Sequence, residues 1–95
     1  MPRVLLILFN LNVSDLFQTG DDNLFKLTQS SNENLSDALQ DGFSLEAKIT
    51  QSGNLNESFL TQTGGSNTAT VNQMTNNNLS TVTQMGFGNS IMVTQ

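Results

Sequence analysis

The chain has 95 residues, 36% of them hydrophobic, with one proline and neither tryptophan nor tyrosine, so it offers a single small domain little material for an ordinary globular core. Cysteine and histidine are both absent, which removes disulfides, thiolate and imidazole metal ligands, and the histidine base of a Ser-His hydrolase. The net charge of −5, with only three basic residues, argues against nucleic acid as a partner.

The first element in the chain is the apolar run "VLLILF" at residues 4–9. Its six residues are too few for a transmembrane helix, which needs about eighteen or more. Behind Arg3 the run is compatible with the remnant of a signal peptide, although it is shorter than a usual hydrophobic region and lacks an A-x-A site. An extra strand or a frayed leader is the alternative. We assign residues 1–9 to a leader or remnant segment and residues 10–95 to a second region.

The second region is an internal repeat of eleven residues. Asparagine recurs five residues after glutamine, with Leu45 as the one exception, and the residue nine places after each glutamine is always apolar. In a β-strand the fifth, seventh, ninth and eleventh positions share one face, so this face carries Asn, a small or apolar residue, an apolar residue and Gln. The glutamines are Gln18, Gln29, Gln40, Gln51, Gln62, Gln73, Gln84 and Gln95, and the asparagines are Asn12, Asn23, Asn34, Asn56, Asn67, Asn78 and Asn89.

The four residues between each glutamine and the next asparagine are rich in Gly, Asn, Asp and Ser, as turns are. Glycine, which tolerates positive φ, stands at the second of these positions in five units, whereas Ser31 and Thr75 replace it in two. The pattern predicts seven strand residues and four turn residues in each unit, and such regular breaks disfavour a helix. The turn glycines are Gly20, Gly42, Gly53, Gly64 and Gly86.

A second period of 22 residues shows how many strands make one coil. Serine at positions 14, 36, 58 and 80 alternates with Phe25, Ala47, Ala69 and Ile91 in the neighbouring units. A three-sided coil would favour a period of 33 residues instead. The sequence therefore predicts an all-β fold, a two-sided β-solenoid with two strands per coil and eight strands in about four rungs.

Stacked coils bring equivalent positions about 4.8 Å apart, so the glutamines are predicted to form two columns. Each side-chain amide can donate a hydrogen bond to one neighbour and accept one from the other, as in cross-β stacks. We expect the asparagines at the strand entrances to form the same kind of amide ladder and also to hold the turns.

The units "QTGGSNTATVNQ" and "QMGFGNSIMVTQ" resemble the curlin repeat, Q-x-G-x-x-N-x-A-x-x-x-Q, of bacterial curli amyloid fibres, and the resemblance extends over residues 12–95. It implies a secreted β-solenoid subunit that assembles end to end, with other curlin subunits, into extracellular fibres at the bacterial cell surface. It also implies contact with the cell surface or secretion machinery, and a role in biofilm formation and adhesion. Asparagine in both half-repeats favours the minor, nucleating curlin over the major subunit.

Charge is distributed unevenly along the repeats, because the last charged residue is Glu57. Asp15 with Asp37, and Lys26 with Lys48, are predicted to place like charges on the outer faces of adjacent rungs, which opposes stacking. The uncharged end of the chain is the better template for an added strand. We therefore predict an assembly edge formed by Asn89, Ser90, Ile91, Met92, Val93, Thr94 and Gln95.

Two other functional classes compete with a fibre subunit. Outward threonines at positions 28, 50, 61, 83 and 94 are compatible with an ice-binding solenoid, but Lys26, Lys48 and Met92 interrupt the paired T-x-T rows that a flat ice face needs. Turn carboxylates at Asp21, Asp22 and Glu33 follow neither the EF-hand spacing nor the nonapeptide calcium repeat. We therefore predict no catalytic, cofactor or metal site.

Overall fold

The computed structural model describes residues 3–8, 11–30 and 32–95, which form nine β-strands. The strands are β1 (Arg3–Leu8), β2 (Val13–Asp21), β3 (Leu24–Gln29), β4 (Leu35–Phe43), β5 (Glu46–Gln51), β6 (Glu57–Gly65), β7 (Thr68–Gln73), β8 (Leu79–Phe87) and β9 (Ser90–Thr94). The described residues contain no helix.

The strands form two parallel sheets that face each other. Sheet A has the order β1-β3-β5-β7-β9, and sheet B has the order β2-β4-β6-β8. From β2 onward each residue pairs with the residue 22 positions further along, as Gln40 does with Gln62. This confirms the predicted two-sided β-solenoid with two strands per 22-residue coil. The molecule measures 33 × 22 × 12 Å.

The core is a thin layer between the two sheets. Strand burial alternates as predicted, since in β3 Phe25, Leu27 and Gln29 are buried and the residues between them are more exposed. The apolar part of this layer consists of Phe25, Leu27, Ala38, Ala47, Ile49, Leu60, Ala69, Val71 and Val82, with Leu16, Ile91 and Val93 packed against it at the two ends.

The prediction of seven strand and four turn residues in every unit is wrong. Strands of sheet B have nine residues each, whereas β3, β5 and β7 of sheet A have six. The reason lies in the glycine positions. Gly20, Gly42, Gly64 and Gly86 pair in an unbroken column, so the sheet B ladder continues through them. After the sheet A strands the same position is not occupied by glycine in every unit, and no comparable column forms.

The chain reverses direction at a residue in the left-handed conformation just before each strand. This residue has φ between 53° and 71° in every turn from Leu11 to Gly88, although its type differs from turn to turn. The sequence pattern did not reveal it, because Leu, Asp, Glu, Ser, Asn and Gly all occupy the position. The asparagine that follows, whose contacts are given below, holds most of these turns from the next position.

Strand β1 pairs with β3, but it does not follow the repeat. Arg3 pairs with Leu24, a separation of 21 residues instead of 22, so β1 differs by one residue from the spacing of all later strands. The proposed boundary between residues 9 and 10, and the Ser31 substitution, lie outside the described residues.

Candidate assembly site

The eight glutamines lie in two columns, one in each sheet. Their side chains are joined by six hydrogen bonds of 2.5–3.0 Å: Gln18 to Gln40, Gln40 to Gln62 and Gln62 to Gln84 in one column, and Gln29 to Gln51, Gln51 to Gln73 and Gln73 to Gln95 in the other. In each bond Nε2 of the earlier residue donates to Oε1 of the later residue. All six donors therefore point toward the C-terminal end of the solenoid.

A second set of contacts fixes this direction. From Gln29 to Gln95, each glutamine Nε2 also donates to the backbone oxygen of the residue sixteen positions earlier, at 2.9–3.2 Å. Only the NH₂ end of the amide can make this contact, so the oxygen end must face the preceding glutamine in the column. Each ladder thus has a donor end and an acceptor end.

Gln62→Leu is expected to destabilise the solenoid more than Thr61→Leu, although the two positions are adjacent and the new side chain is the same. Leucine at position 62 leaves the buried amides of Gln40 and Gln84 each without one partner, at a cost of about 1–3 kcal/mol per group. Thr61 lies half-buried on the outer face, where leucine displaces no described side-chain hydrogen bond. Urea denaturation of both variants measures the difference. Equal losses would contradict the inward placement of Gln62.

The asparagines do not form the predicted side-chain ladder. Most of their amide groups bind backbone atoms instead, because each asparagine lies where the chain turns into a strand. Asn34 Nδ2 donates to Ser30 O at 2.9 Å within its own turn and to Gly53 O at 3.1 Å in the next coil, while its Oδ1 accepts from Asn56 N at 3.0 Å. Contacts of the first kind recur at Asn23, Asn56, Asn67 and Asn89. Asn12 and Asn78 instead donate to Gln29 O and Thr75 Oγ1.

Leu45 shows which part of this arrangement depends on asparagine. Its backbone N–H still donates to Asn23 Oδ1 at 3.0 Å, and its carbonyl oxygen accepts from Leu24 N at 2.7 Å. The leucine side chain is fully buried and contributes apolar contact in place of the turn-binding amide. The coil therefore tolerates one leucine because the neighbouring asparagine supplies the bond to its backbone.

The glycine column of sheet B brings successive backbones too close for any side chain. A Cβ on Gly20 or Gly42 would lie 1.8 Å from the carbonyl oxygen of the next glycine in the column, and one on Gly64 would lie 2.0 Å from Gly86 O. A Cβ on Gly86 would meet only Asn89 Nδ2, at 3.5 Å. A Cβ on Gly53, which is outside this column, would lie 2.6 Å from Thr75 O. Each glycine of the column faces the coil that follows it.

The two ends of the solenoid differ in their hydrogen-bonding groups. At the N-terminal end, Oε1 of Gln18 and Oε1 of Gln29 are buried and have no hydrogen-bond partner among the described residues. At the C-terminal end, Gln84 and Gln95 donate to Thr68 O and Leu79 O, which uses one of the two N–H bonds of each amide. Acceptors therefore remain at one end of the ladder and donors at the other. The buried serine hydroxyls at positions 14, 36, 58 and 80 also lack a described partner.

The predicted assembly edge lies on β9, the outer strand of sheet A, together with Asn89 before it and Gln95 after it. Ser90, Met92 and Thr94 are exposed, with 74% of Met92 accessible, whereas Ile91 and Val93 are half-buried against the core. Asn89 Nδ2 donates to Met85 O. Within the described chain, no further strand pairs with the outer edge of β9. At the other end, the like charges pair in register as predicted, Asp15 with Asp37 and Lys26 with Lys48.

One surface feature was missed by the sequence reasoning. The rings of Phe43 and Phe87 lie 6.0 Å apart, two coils from each other, with the buried Gly65 between them. A Cβ on Gly65 would lie 2.7 Å from the Phe43 ring, so glycine makes room for the two rings to meet. The signal was weak because Asp21 and Gly65 occupy the other two places of this column, so the two phenylalanines stand 44 residues apart and show no 22-residue repeat.

The described part of the chain contains no cluster of three or more His, Cys, Asp or Glu side chains arranged to hold a metal ion. In the same ranges, no helix has the length and apolar character needed to cross a membrane. On the outer face of sheet A, Asn72 interrupts the column formed by Thr28, Thr50 and Thr94.

Stacked parallel coils, continuous amide ladders and end strands that are each paired on one side only define a structural β-solenoid of the fibre-forming type. The curlin associated repeat matches residues 32–64 and 64–95, and the chain belongs to that family. No curated protein matches the chain.

Proposed function

We propose that the protein is a structural subunit of extracellular, curli-like amyloid fibres, acting as the minor, nucleating subunit at the bacterial cell surface. The observation that carries this proposal is the matched pair of ends: orphaned amide acceptors on Gln18 and Gln29 at one end and unused amide N–H groups on Gln84 and Gln95 at the other. A second copy stacked on the edges of β2 and β3 would satisfy both sets at once. Adding copies in this way extends the same ladders without a new kind of contact.

The thin core favours assembly over an isolated monomer. The apolar layer holds few large side chains, and much of the buried surface consists of amides and hydroxyls. Outer coils have only one neighbour, so their inward side chains are partly exposed: Leu16 at one end, and Ile91 and Val93 at the other. Each junction between copies would bury such residues, and burial contributes about 25 cal/mol per Å² of apolar surface.

The uneven charge supports the nucleating role. Strands β7, β8 and β9 carry no charged residue, whereas the first coils carry like-charged outer pairs that oppose stacking by about 0.2–1 kcal/mol each. An uncharged edge without proline is the stronger template for another chain. Partners of this edge would be further copies and other curlin subunits. The proposal also includes contact with the secretion machinery and a role in biofilm formation and adhesion, which membership of the curlin family supports.

The purified chain is expected to form fibres that bind thioflavin and diffract with a meridional spacing near 4.8 Å, the distance between hydrogen-bonded strands. Thioflavin kinetics followed by fibre diffraction measure this. Preformed fibres should also remove the lag phase of a major curlin subunit, which tests the nucleating role separately. A chain that stayed monomeric for days at high concentration would refute the fibre function, and fibres that failed to seed would refute only the nucleating role.

A further inference from the structure

Strand β1 occupies the place that another copy would need. Within the molecule, adding one coil to another pairs β4 with β2 and β5 with β3. By the same pattern, a second copy docking at the N-terminal end would pair its β8 with β2 and its β9 with β3. The edge of β3 is already taken by β1. Sheet A therefore has one strand more than sheet B. While β1 is paired with β3, a second copy cannot pair with both sheets at this end.

Strand β1 is also an imperfect substitute for β9. The register of sheet A places Ile91, Val93 and Gln95 in the columns that lead to Phe25, Leu27 and Gln29. In β1 these columns are occupied by Val4, Leu6 and Leu8. Leucine has no side-chain donor, and Oε1 of Gln29 is buried without a described partner. Gln95 from a second copy brings the amide N–H that this oxygen lacks.

The direction of the ladders allows this junction in one orientation. Every Nε2 of the glutamine columns points toward the C-terminal end, so Gln84 and Gln95 present donors there, while Gln18 and Gln29 present acceptors at the other end. Two C-terminal ends facing each other would oppose donor to donor. A head-to-tail junction instead pairs Gln84 with Gln18 and Gln95 with Gln29.

We infer that the edges of β2 and β3 form the docking surface for β8 and β9 of a second copy, and that β1 covers this surface and must leave it at every junction. The inference rests on the proposed fibre function and adds a gating step to it. When β9 of a second copy replaces β1, Gln29 Oε1 gains the hydrogen-bond donor that it lacks beside β1. The exchange is reversible in the soluble chain and becomes permanent once the second copy is stacked.

Three full-length variants test the gate by changing β1 alone. Leu6→Lys places a charge in register with the buried Leu27 and is expected to weaken β1 pairing and shorten the lag phase about threefold or more. Ile7→Lys, in register with the outer-face Thr28, is the matched control and is expected to leave the lag unchanged. Leu8→Gln supplies a donor in register with Gln29 and is expected to lengthen the lag about threefold.

Hydrogen exchange read by mass spectrometry gives an independent measurement on the unmodified chain. Amides of residues 4–8 should be protected in the soluble protein and exchange freely in fibres, while those of β3 stay protected in both. If Leu6→Lys and Ile7→Lys slowed assembly equally, β1 would promote assembly through non-specific apolar contact and would not cover a docking surface. That result would overturn the inference. Fibres in which residues 4–8 remain protected would overturn it too. Absence of fibres in every variant, including the unmodified chain, would overturn the proposed function itself.

Discussion

Gly64→Ala is expected to prevent the chain from folding, whereas Gly86→Ala is expected to leave it folded and to block fibre growth. Both glycines have similar backbone conformations, with φ of 117° and 112°, so the strain of alanine at positive φ, about 1–3 kcal/mol, is shared. They differ in what lies over them. A Cβ at position 64 would lie 2.0 Å from Gly86 O, whereas one at position 86 has no backbone atom of the described chain within 4 Å.

The contact at Gly64 is far shorter than any real Cβ contact, and its partner is backbone that cannot rotate away. Relieving it means separating β6 from β8, which breaks the sheet B ladder and parts Gln62 from Gln84, so we expect a loss of several kcal/mol. Gly86 meets the equivalent contact only when another coil is stacked on β8. In a head-to-tail fibre, Gly20 of the next copy would be stacked on Gly86. The overlap between the added Cβ and the Gly20 carbonyl oxygen would therefore arise at the junction.

Circular dichroism and thioflavin kinetics on the same samples separate the two effects. Gly64→Ala should lose the β-sheet signal, and Gly86→Ala should keep it while fibre growth falls by at least about tenfold. Gly88→Ala is the control, because φ is also positive, at 71°, and no atom lies within 4 Å of the added carbon. Normal growth of Gly86→Ala would show that β8 is not stacked against another coil in fibres.

The fold could be predicted from the sequence because its main determinant is periodic. Buried amides are stable only where each coil provides the same residue at the same place, so the eleven-residue spacing of the glutamines gave the length of one strand-turn unit directly. The serine column, with its period of 22, then distinguished two strands per coil from three. Both conclusions depend on columns of one residue type, which any two-sided stack of this kind must contain.

Other features could not be read in this way, because they depend on direction or on the backbone. Asn34 and Gln40 carry the same functional group, but Asn34 stands beside a turn whose free carbonyl oxygens lie within reach of its short side chain, so it binds backbone. The left-handed conformation of the residue before each strand is imposed by this turn. It does not require one residue type, so the sequence shows no pattern at that position. The longer strands of sheet B were missed, although Ser31 and Thr75 break the glycine pattern only after sheet A.

The orientation of the ladders was also beyond the sequence, although it decides how copies meet. A glutamine column can run in either direction, and only the additional contact of Nε2 with a backbone oxygen, such as Gln62 with Glu46 O, selects one. The sequence predicted an assembly edge at β9 from its lack of charge. The structure adds that this end is the donor end, whereas the opposite end carries β1.

Lysines at Ile91 and Val93 are expected to abolish seeding, whereas lysines at Ser90 and Met92 weaken it only modestly. In the soluble chain Ile91 and Val93 are half-buried on the outermost strand, so lysines there can extend their ammonium groups past the open edge into water. Stacking another coil on β9 closes that route. Each buried, unpaired charge then costs several kcal/mol, more than an added strand supplies.

Positions 90 and 92 provide a control with the same change in charge and the same strand. Both side chains are exposed, and they stay on the outer face when a coil is added, as Lys26 and Lys48 do within the molecule. Their cost is repulsion between neighbouring lysines, about 0.2–1 kcal/mol per pair. Seeding by fragmented fibres of each double variant, added to unmodified monomer, measures the difference. If both double variants seeded equally well, the edge of β9 would not be where chains add, because only burial at that edge distinguishes the inward from the outward lysines.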